Sequence, residues 1–169
     1  ALILPAASED EIDSVLLRAG IPTHGKYLCF ALRNWKGFED KAPLFAQAAK
    51  YAYETYGLTP VFAAVEKHLD PGAGRLAAAG LDIPHYFLDD AGSAGTIIGA
   101  LSRMQAVVSM RLHALIFAAG QGIPLAGVVY DPKVSSFLRY IGQENFADLD
   151  ALTPDLLKSM IDRVAAAPI

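Results

Sequence analysis

A histidine and two basic residues in the second half of the chain have the side-chain types needed for acid–base chemistry on an anionic ligand. His113 follows Arg111 by two residues, and Lys133 comes after the next apolar segment. An imidazole titrates near neutral pH and can accept or donate a proton. A guanidinium binds phosphate or carboxylate through paired hydrogen bonds, and an ammonium binds them as a point charge. His113 is therefore a candidate acid or base, and Arg111 and Lys133 are candidate ligands of an anion.

Each of these residues also has a purely structural interpretation. His113 could be wedged against a sheet and hydrogen-bonded to the backbone. Arg111 could tie a strand end to a neighbouring carboxylate such as Asp89, and Lys133 could be a solvated surface lysine. The spacing of the residues does not by itself decide between these interpretations.

Further polar residues follow predicted strands. Ser109 comes just before Arg111, and Arg33 and Asn34 end the first predicted strand. In the usual doubly wound order the first and fourth strands are neighbours, and a ligand crevice opens between their ends. We predict Ser109, Arg33 and Asn34 as substrate-binding residues. Trp35 could stack on a base or a sugar, or could cover the core.

The segment 106–131 contains the elements that must position these residues. An apolar run at 106–108 predicts a buried strand, 112–119 predicts a helix closed by Gly120, and 125–129 predicts a second strand. Such a βαβ unit crosses over right-handed and builds parallel sheet. Ligands bind at the edge where the strands' carboxyl ends meet, and the free N–H groups of a helix start suit an anion there.

The rest of the chain repeats this alternation of strand and helix. Five apolar strands separated by helices predict one α/β domain with a doubly wound parallel sheet. The other strands are predicted at 27–32, 60–65 and 84–88, and a brief extended segment is predicted at 144–147. One helix is predicted after Ser8 and another from residue 71, with Asp70 as its N-cap. The remaining helices are predicted at 41–56, 93–104, 133–140 and 153–166.

Composition excludes several classes of protein. The 169 residues are 53% hydrophobic and 19% charged, as in a globular domain. The net charge of −4 argues against a nucleic-acid surface, so an anionic ligand must be bound by a few local cations. No apolar run approaches the roughly 20 residues of a membrane span, and no secretion signal is recognised. The single cysteine, Cys29, fits a reducing cytoplasm. Because Cys29 lies in the apolar run 27–32, we predict that its thiol is buried and inert.

No metal or cofactor site is predicted. Glu66, His68 and Asp70 resemble a metal cluster only loosely, because no Cys or second His lies nearby. The glycine-containing segment 92–99 lacks the Lys-Ser/Thr ending of a phosphate loop, and a dinucleotide fingerprint after the first strand is missing. The chain has no initiating Met and starts within an apolar run, so we expect a fragment of a longer protein.

Four short motifs resemble those of one enzyme family. The motifs are VSMRLHA at 108–114, followed by GIP at 122–124 and YDPK at 130–133, with ALRNW at 31–35. Together they resemble the carboxy-terminal half of the polysaccharide pyruvyl transferases, and more narrowly the bacterial enzymes that pyruvylate cell-wall polymers. The resemblance extends from about Tyr27 to Gly142.

This resemblance implies two Rossmann-like domains arranged as in glycosyltransferases of the B type. Residues 1–169 would be the carboxy-terminal domain, with a linker and helix at 1–26, a core at 27–150 and a final helix at 151–169. The family transfers an enolpyruvyl-derived unit from phosphoenolpyruvate to a sugar diol, giving a pyruvate ketal without a cofactor. His113 and Lys133 match family positions tied to catalysis and donor binding.

The expected partners follow from the same resemblance. They are phosphoenolpyruvate, a glycan or lipid-linked sugar acceptor that brings the enzyme to the membrane surface, and an amino-terminal domain that supplies a further cation. This chain alone is expected to be inactive.

Two other functions are consistent with the residues. The chain could be the nucleotide-sugar-binding domain of a glycosyltransferase or sugar epimerase, in which an acidic residue binds the ribose. Glu144 is the downstream acid we nominate for that role. The chain could also be a non-catalytic docking module, in which case His113, Arg111 and Lys133 would not converge.

Overall fold

The strands of the protein form one parallel sheet. The computed structural model describes residues 7–65, 70–90, 92 and 94–165. Within these residues there are six strands: β1 (Tyr27–Ala31), β2 (Thr59–Ala63), β3 (Tyr86–Leu88), β4 (Ala106–Ser109), β5 (Leu125–Val129) and β6 (Phe146–Asp148). They pair in the order β3-β2-β1-β4-β5-β6, and every pairing is parallel. This confirms the predicted doubly wound α/β fold.

Helices cover both faces of the sheet, and this is why the central strands are continuous apolar runs. The helices are α1 (Glu9–Arg18), α2 (Phe38–Tyr56), α3 (Asp70–Ala78), α4 (Ala94–Ser102), α5 (Leu112–Gly120), α6 (Pro132–Tyr140) and α7 (Pro154–Ala165), with a 3₁₀ turn at Leu149–Ala151. In β1, Leu28 and Phe30 pack into the layer formed by α2, α3 and α7, whereas Tyr27 and Cys29 pack into the layer formed by α1, α4, α5 and α6.

The sixth strand corrects the prediction of five. The sequence predicts only a brief extended segment at 144–147, whereas β6 pairs with β5 from Gly127 opposite Phe146 to Val129 opposite Asp148. β6 is three residues long and incompletely buried at the sheet edge. It therefore lacks the apolar run by which the central strands are recognised.

Several element boundaries also differ from the prediction. β3 starts at Tyr86, because Pro84 has no N–H to donate to a neighbouring strand. α2 starts at Phe38, where Gly37 turns the chain at φ 88° and Phe38 is buried. α3 includes Asp70, which the sequence predicts as its N-cap. The strand predicted at 60–65 is Thr59–Ala63, and the helix predicted at 93–104 is Ala94–Ser102.

The chain changes direction across the sheet between β1 and β4. From β1 the chain proceeds outward through β2 to β3, and from β4 it proceeds the other way through β5 to β6. β1 and β4 are paired, with Leu28 opposite Ala106 and Ala31 opposite Ser109, as predicted. A crevice opens at such a switch point, at the edge formed by the carboxyl ends of the strands. We call this the carboxyl edge.

The first helix belongs to the core rather than to a separate linker. The hydroxyl of Ser8 accepts a hydrogen bond from the Glu11 N–H (3.3 Å) and donates to Glu11 Oε1 (3.0 Å), which caps α1. Ile12, Val15 and Leu16 on one face of α1 are buried. Of the helices described, none combines the length and apolarity that crossing a membrane requires.

Cys29 is fully buried in β1, as predicted. Burial raises the pKa of its thiol to about 12, because the thiolate would lose its hydration. The thiolate is the nucleophilic form. Cys29 is therefore a core residue and not a nucleophile.

Gly57 ends α2 in the left-handed region, with φ 69°, and its N–H donates to the Tyr53 carbonyl (3.0 Å). We expect Gly57→Ala to lower the free energy of unfolding by about 1 kcal/mol, because a Cβ is disfavoured at this φ. Gly72→Ala in α3 is the matched control, since open space surrounds both glycines and only Gly57 has a positive φ. The urea unfolding midpoint should fall for Gly57→Ala alone, and equal midpoints for the two variants would contradict the prediction.

Candidate functional site

His113 lies at the carboxyl edge, at the second position of α5, directly after β4. Its side chain is exposed rather than wedged against the sheet. The imidazole packs beside Phe117, with ring centroids 6.3 Å apart. A ligand at the carboxyl edge can therefore reach this imidazole without displacing part of the core.

The starts of α5 and α6 differ in how their free N–H groups are satisfied. α5 has Arg111 at its N-cap position, with no side-chain cap and no acidic residue in its first turn. In α6 the carboxylate of Asp131 accepts a hydrogen bond from the Lys133 N–H (2.8 Å). Lys133 is exposed at the second position of α6. Because only α5 lacks a carboxylate cap, its positive end is the better match for an anion.

Arg111 is held by a buried carboxylate. Its Nε donates to both oxygens of Asp70 (3.0 and 2.9 Å), and its Nη2 also contacts Asp70. The Asp70 side chain is 1% exposed and that of Arg111 is 15% exposed. Asp89, suggested above as a structural partner of Arg111, forms an ion pair with Arg75 instead (2.7 Å). The Arg111–Asp70 pair fixes α3 to the turn after β4.

Ser109 is fully buried at the end of β4. Its Oγ accepts a hydrogen bond from the Arg111 N–H (2.8 Å) and lies 3.0 Å from the Arg111 carbonyl and 3.3 Å from the Ala31 carbonyl. The hydroxyl therefore joins the ends of β1 and β4 to the turn before α5. Ser109 lies below the surface of the site and fixes the backbone that precedes His113.

Arg33 connects the end of β1 to the end of β5 through two aromatic rings. Its Nη1 donates to the Tyr130 hydroxyl (2.8 Å), and its guanidinium lies 4.7 Å from the centre of the Trp35 ring and 5.2 Å from that of Tyr130. The Trp35 and Tyr130 rings are 5.0 Å apart at a tilt of 46°. Asn34 is exposed in the same loop. β4 lies between β1 and β5, so this contact spans the strand that leads to His113.

A cleft of about 820 Å³ opens beside these rings. Asp148 and Asp150 in its wall were not predicted as site residues, because Asp148 ends β6 and Asp150 lies in the turn after it, and the sequence does not reveal β6 as a strand. Glu144, the nominated ribose ligand, precedes β6 and so lies at the opposite edge of the sheet. The cleft is lined by Trp35, Lys36, Gly37, Val129, Tyr130, Asp131, Pro132, Ser135, Asp148, Leu149, Asp150 and Ala151.

Within residues 7–65, 70–90, 92 and 94–165, no three His, Cys, Asp or Glu side chains are grouped so that they could hold a metal ion. Glu66 and His68, which with Asp70 loosely resemble a metal cluster in the sequence, lie outside the described residues.

A comparison with known protein families shows which family the chain is related to. A model of polysaccharide pyruvyl transferases matches residues 1–132. The chain belongs to the polysaccharide pyruvyl transferase family. The matched region of this pyruvyl transferase domain includes Arg33, Ser109, Arg111 and His113, and it ends one residue before Lys133.

Solved structures show the same fold in glycosyltransferases. The Escherichia coli ADP-heptose lipopolysaccharide heptosyltransferase II has a TM-score of 0.70 and 16% identity, over 95% of this chain and 52% of that one. A family 9 glycosyltransferase from Veillonella parvula has a TM-score of 0.68 and 12% identity, over 96% and 53% of the two chains. These matches confirm the Rossmann-like fold expected for one domain of a B-type glycosyltransferase, and this chain spans about half of each of those proteins. No curated protein matches the sequence.

Proposed function

We propose that this domain takes part in transferring an enolpyruvyl-derived unit from phosphoenolpyruvate to a sugar diol of a cell-wall polysaccharide or its lipid-linked precursor. The observation that carries the proposal is an exposed imidazole, that of His113, at the start of a helix without a carboxylate cap, in a member of the pyruvyl transferase family. The location proposed is the cytoplasm, where phosphoenolpyruvate is made.

Phosphoenolpyruvate carries a phosphate and a carboxylate, so it needs several hydrogen-bond donors at close range. The free N–H groups of α5 and the ammonium of Lys133 are the proposed donors. Arg111 contributes less charge than its type suggests, because Asp70 already counters it. Its proposed role, with that of Ser109, is to fix the turn that orients His113, and Asn34 is kept as a proposed substrate ligand.

Formation of the ketal requires two additions to the same carbon. One sugar hydroxyl forms a bond to the carbon that carries the phosphate, while the vinyl carbon takes up a proton and becomes a methyl group. The second sugar hydroxyl then forms a bond to the same phosphate-bearing carbon. The C–O bond to the phosphate breaks, and the phosphate leaves with its electron pair. The two hydroxyl protons are balanced by the new C–H bond and by protonation of the leaving phosphate. The imidazole of His113 is the proposed group that moves these protons, since an imidazole ring can accept a proton on one nitrogen and donate one from the other.

A complete site is proposed to need an amino-terminal domain. Related folds are about twice as long as this chain. Such a domain would face the carboxyl edge and supply a further cation for the phosphate.

The test is an assay of the natural protein with phosphoenolpyruvate and candidate glycans. We expect phosphate release that depends on the glycan, and a ketal methyl signal in the proton NMR spectrum of the product. Phosphoenolpyruvate without glycan is the control for simple hydrolysis. Transfer from a UDP-sugar that is unaffected by phosphoenolpyruvate would contradict the proposal and favour the glycosyltransferase alternative.

A further inference from the structure

We infer that the cleft beside Trp35 and Tyr130, called here the aromatic cleft, is a subsite for an uncharged sugar residue of the acceptor glycan. The inference rests on the proposed function and assigns the acceptor to this domain. Its volume of about 820 Å³ lies within the range of small-molecule sites.

Trp35 supplies the surface on which a sugar ring can stack. Its side chain is 40% exposed, although large aromatic residues are usually buried. The guanidinium of Arg33 and the tilted ring of Tyr130 hold the indole in one orientation. One face of a pyranose presents C–H groups, which are apolar and slightly positive, and these pack well on the negative face of an aromatic ring.

The walls of the aromatic cleft supply acceptors for hydroxyl groups. Asp148 and Asp150 are exposed, and their side chains make no hydrogen bond or ion pair within the residues that the structure describes. The second oxygen of Asp131 and the hydroxyl of Ser135 add further acceptors, because only one oxygen of Asp131 caps α6. A ligand rich in O–H donors satisfies these groups, and hydrogen bonds to a carboxylate are stronger than those between neutral groups.

The charge of the aromatic cleft selects against anions. Among the lining residues in the described part of the chain, three are acidic, Asp131, Asp148 and Asp150, and one is basic, Lys36. Phosphate or carboxylate groups would meet net repulsion there, while the start of α5 attracts them. Phosphoenolpyruvate and nucleotides are therefore poor ligands for this cleft, and an uncharged polyol is a good one.

Contacts between its two walls hold the cleft in shape. The ammonium of Lys41 donates to the Leu152 carbonyl (2.9 Å), which ties α2 to the segment carrying Asp150. A Cβ at Gly37 would lie only 3.4 Å from Asp150 Oδ1, so the two walls approach each other closely. Little ordering is then required when a sugar binds.

The position of the cleft suits an acceptor. Arg33 and Tyr130 join the ends of β1 and β5, and β4 lies between these strands in the sheet. A sugar stacked on Trp35 is therefore held at the same edge as His113, with a neighbouring residue of the glycan free to extend toward α5.

The experiment measures the acceptor dependence of pyruvyl transfer by the natural protein and its variants. We expect Trp35→Ala to raise the KM for glycan by about tenfold, the effect of losing one stacking contact, with the KM for phosphoenolpyruvate unchanged. Trp35→Phe should restore most of the affinity, and Asp150→Asn should also raise only the glycan KM. Tyr140→Ala is the matched control, because Tyr140 is 87% exposed at the far end of α6.

A second measurement does not require turnover. Binding of methyl glycosides is monitored by saturation-transfer NMR in the absence of phosphoenolpyruvate. Loss of the signal in Trp35→Ala but not in Tyr140→Ala would support the subsite. A glycan KM unchanged in both Trp35→Ala and Asp150→Asn would overturn it, as would a signal from ADP or UDP in place of the glycosides. If no glycan is pyruvylated but the glycosides bind at Trp35, the proposed function fails and the sugar subsite stands.

Discussion

Replacing His113 with alanine is expected to lower kcat for pyruvyl transfer by about 10²–10⁴-fold, the usual contribution of a positioned proton-transfer group. The free energy of unfolding should change little, because the side chain is exposed and its one ring contact is with Phe117. The KM for phosphoenolpyruvate should change less than kcat, because the imidazole acts mainly in the transition state.

The matched control for His113→Ala is His24→Ala. His24 is also exposed, but it precedes β1 and so lies at the opposite edge of the sheet. Equal kcat values for wild type and His113→Ala would remove the proton-transfer role. A fall in both variants together would show that the loss does not come from the site.

Replacing Asp70 with asparagine is expected to lower the free energy of unfolding by about 3 kcal/mol, because it leaves the charge of Arg111 without its buried counterion. Asparagine keeps the shape of the side chain, so the loss reports charge rather than packing. Turnover should fall as well, since the pair fixes the turn from which α5 and His113 begin.

Asp89→Asn is the control for Asp70→Asn. It breaks the Arg75–Asp89 pair, whose side chains are 50% and 44% exposed, and such pairs contribute at most about 1 kcal/mol. Chemical unfolding of the two variants, with Arg111→Met and the double variant completing a cycle, measures the coupling energy. Equal destabilisation by Asp70→Asn and Asp89→Asn would refute the structural importance of the buried pair.

The partner of Arg111 illustrates what the sequence could not decide. Both Asp70 and Asp89 follow predicted strands, and either could accept the guanidinium. The answer depends on the order of strands in the sheet, in which β2 is two places from β4 and β3 is three. Neighbouring strands are about 4.8 Å apart, so the residue after β2 is within reach of an arginine and the residue after β3 is not.

The candidate site likewise has one part that the sequence predicts and one part that it does not. β4 and β5 are buried on both faces and α5 packs between them and solvent, so their apolar runs predict these elements and the location of His113 and Lys133 follows. β6 is short and half exposed, and Asp148 and Asp150 were missed together with it. The contact of Arg33 with Tyr130 joins residues far apart in the chain, and no local pattern encodes it.

The unequal capping of α5 and α6 divides the carboxyl edge into two electrical environments. One aspartate, Asp131, cancels the positive end of its helix, while the neighbouring helix start keeps its field. Two reactants of opposite character can thus be sorted to adjacent positions by a single side chain on a shared scaffold. A relative that replaces Asp131 with an uncharged residue would extend the anion-attracting zone and change which class of molecule each half of the edge accepts.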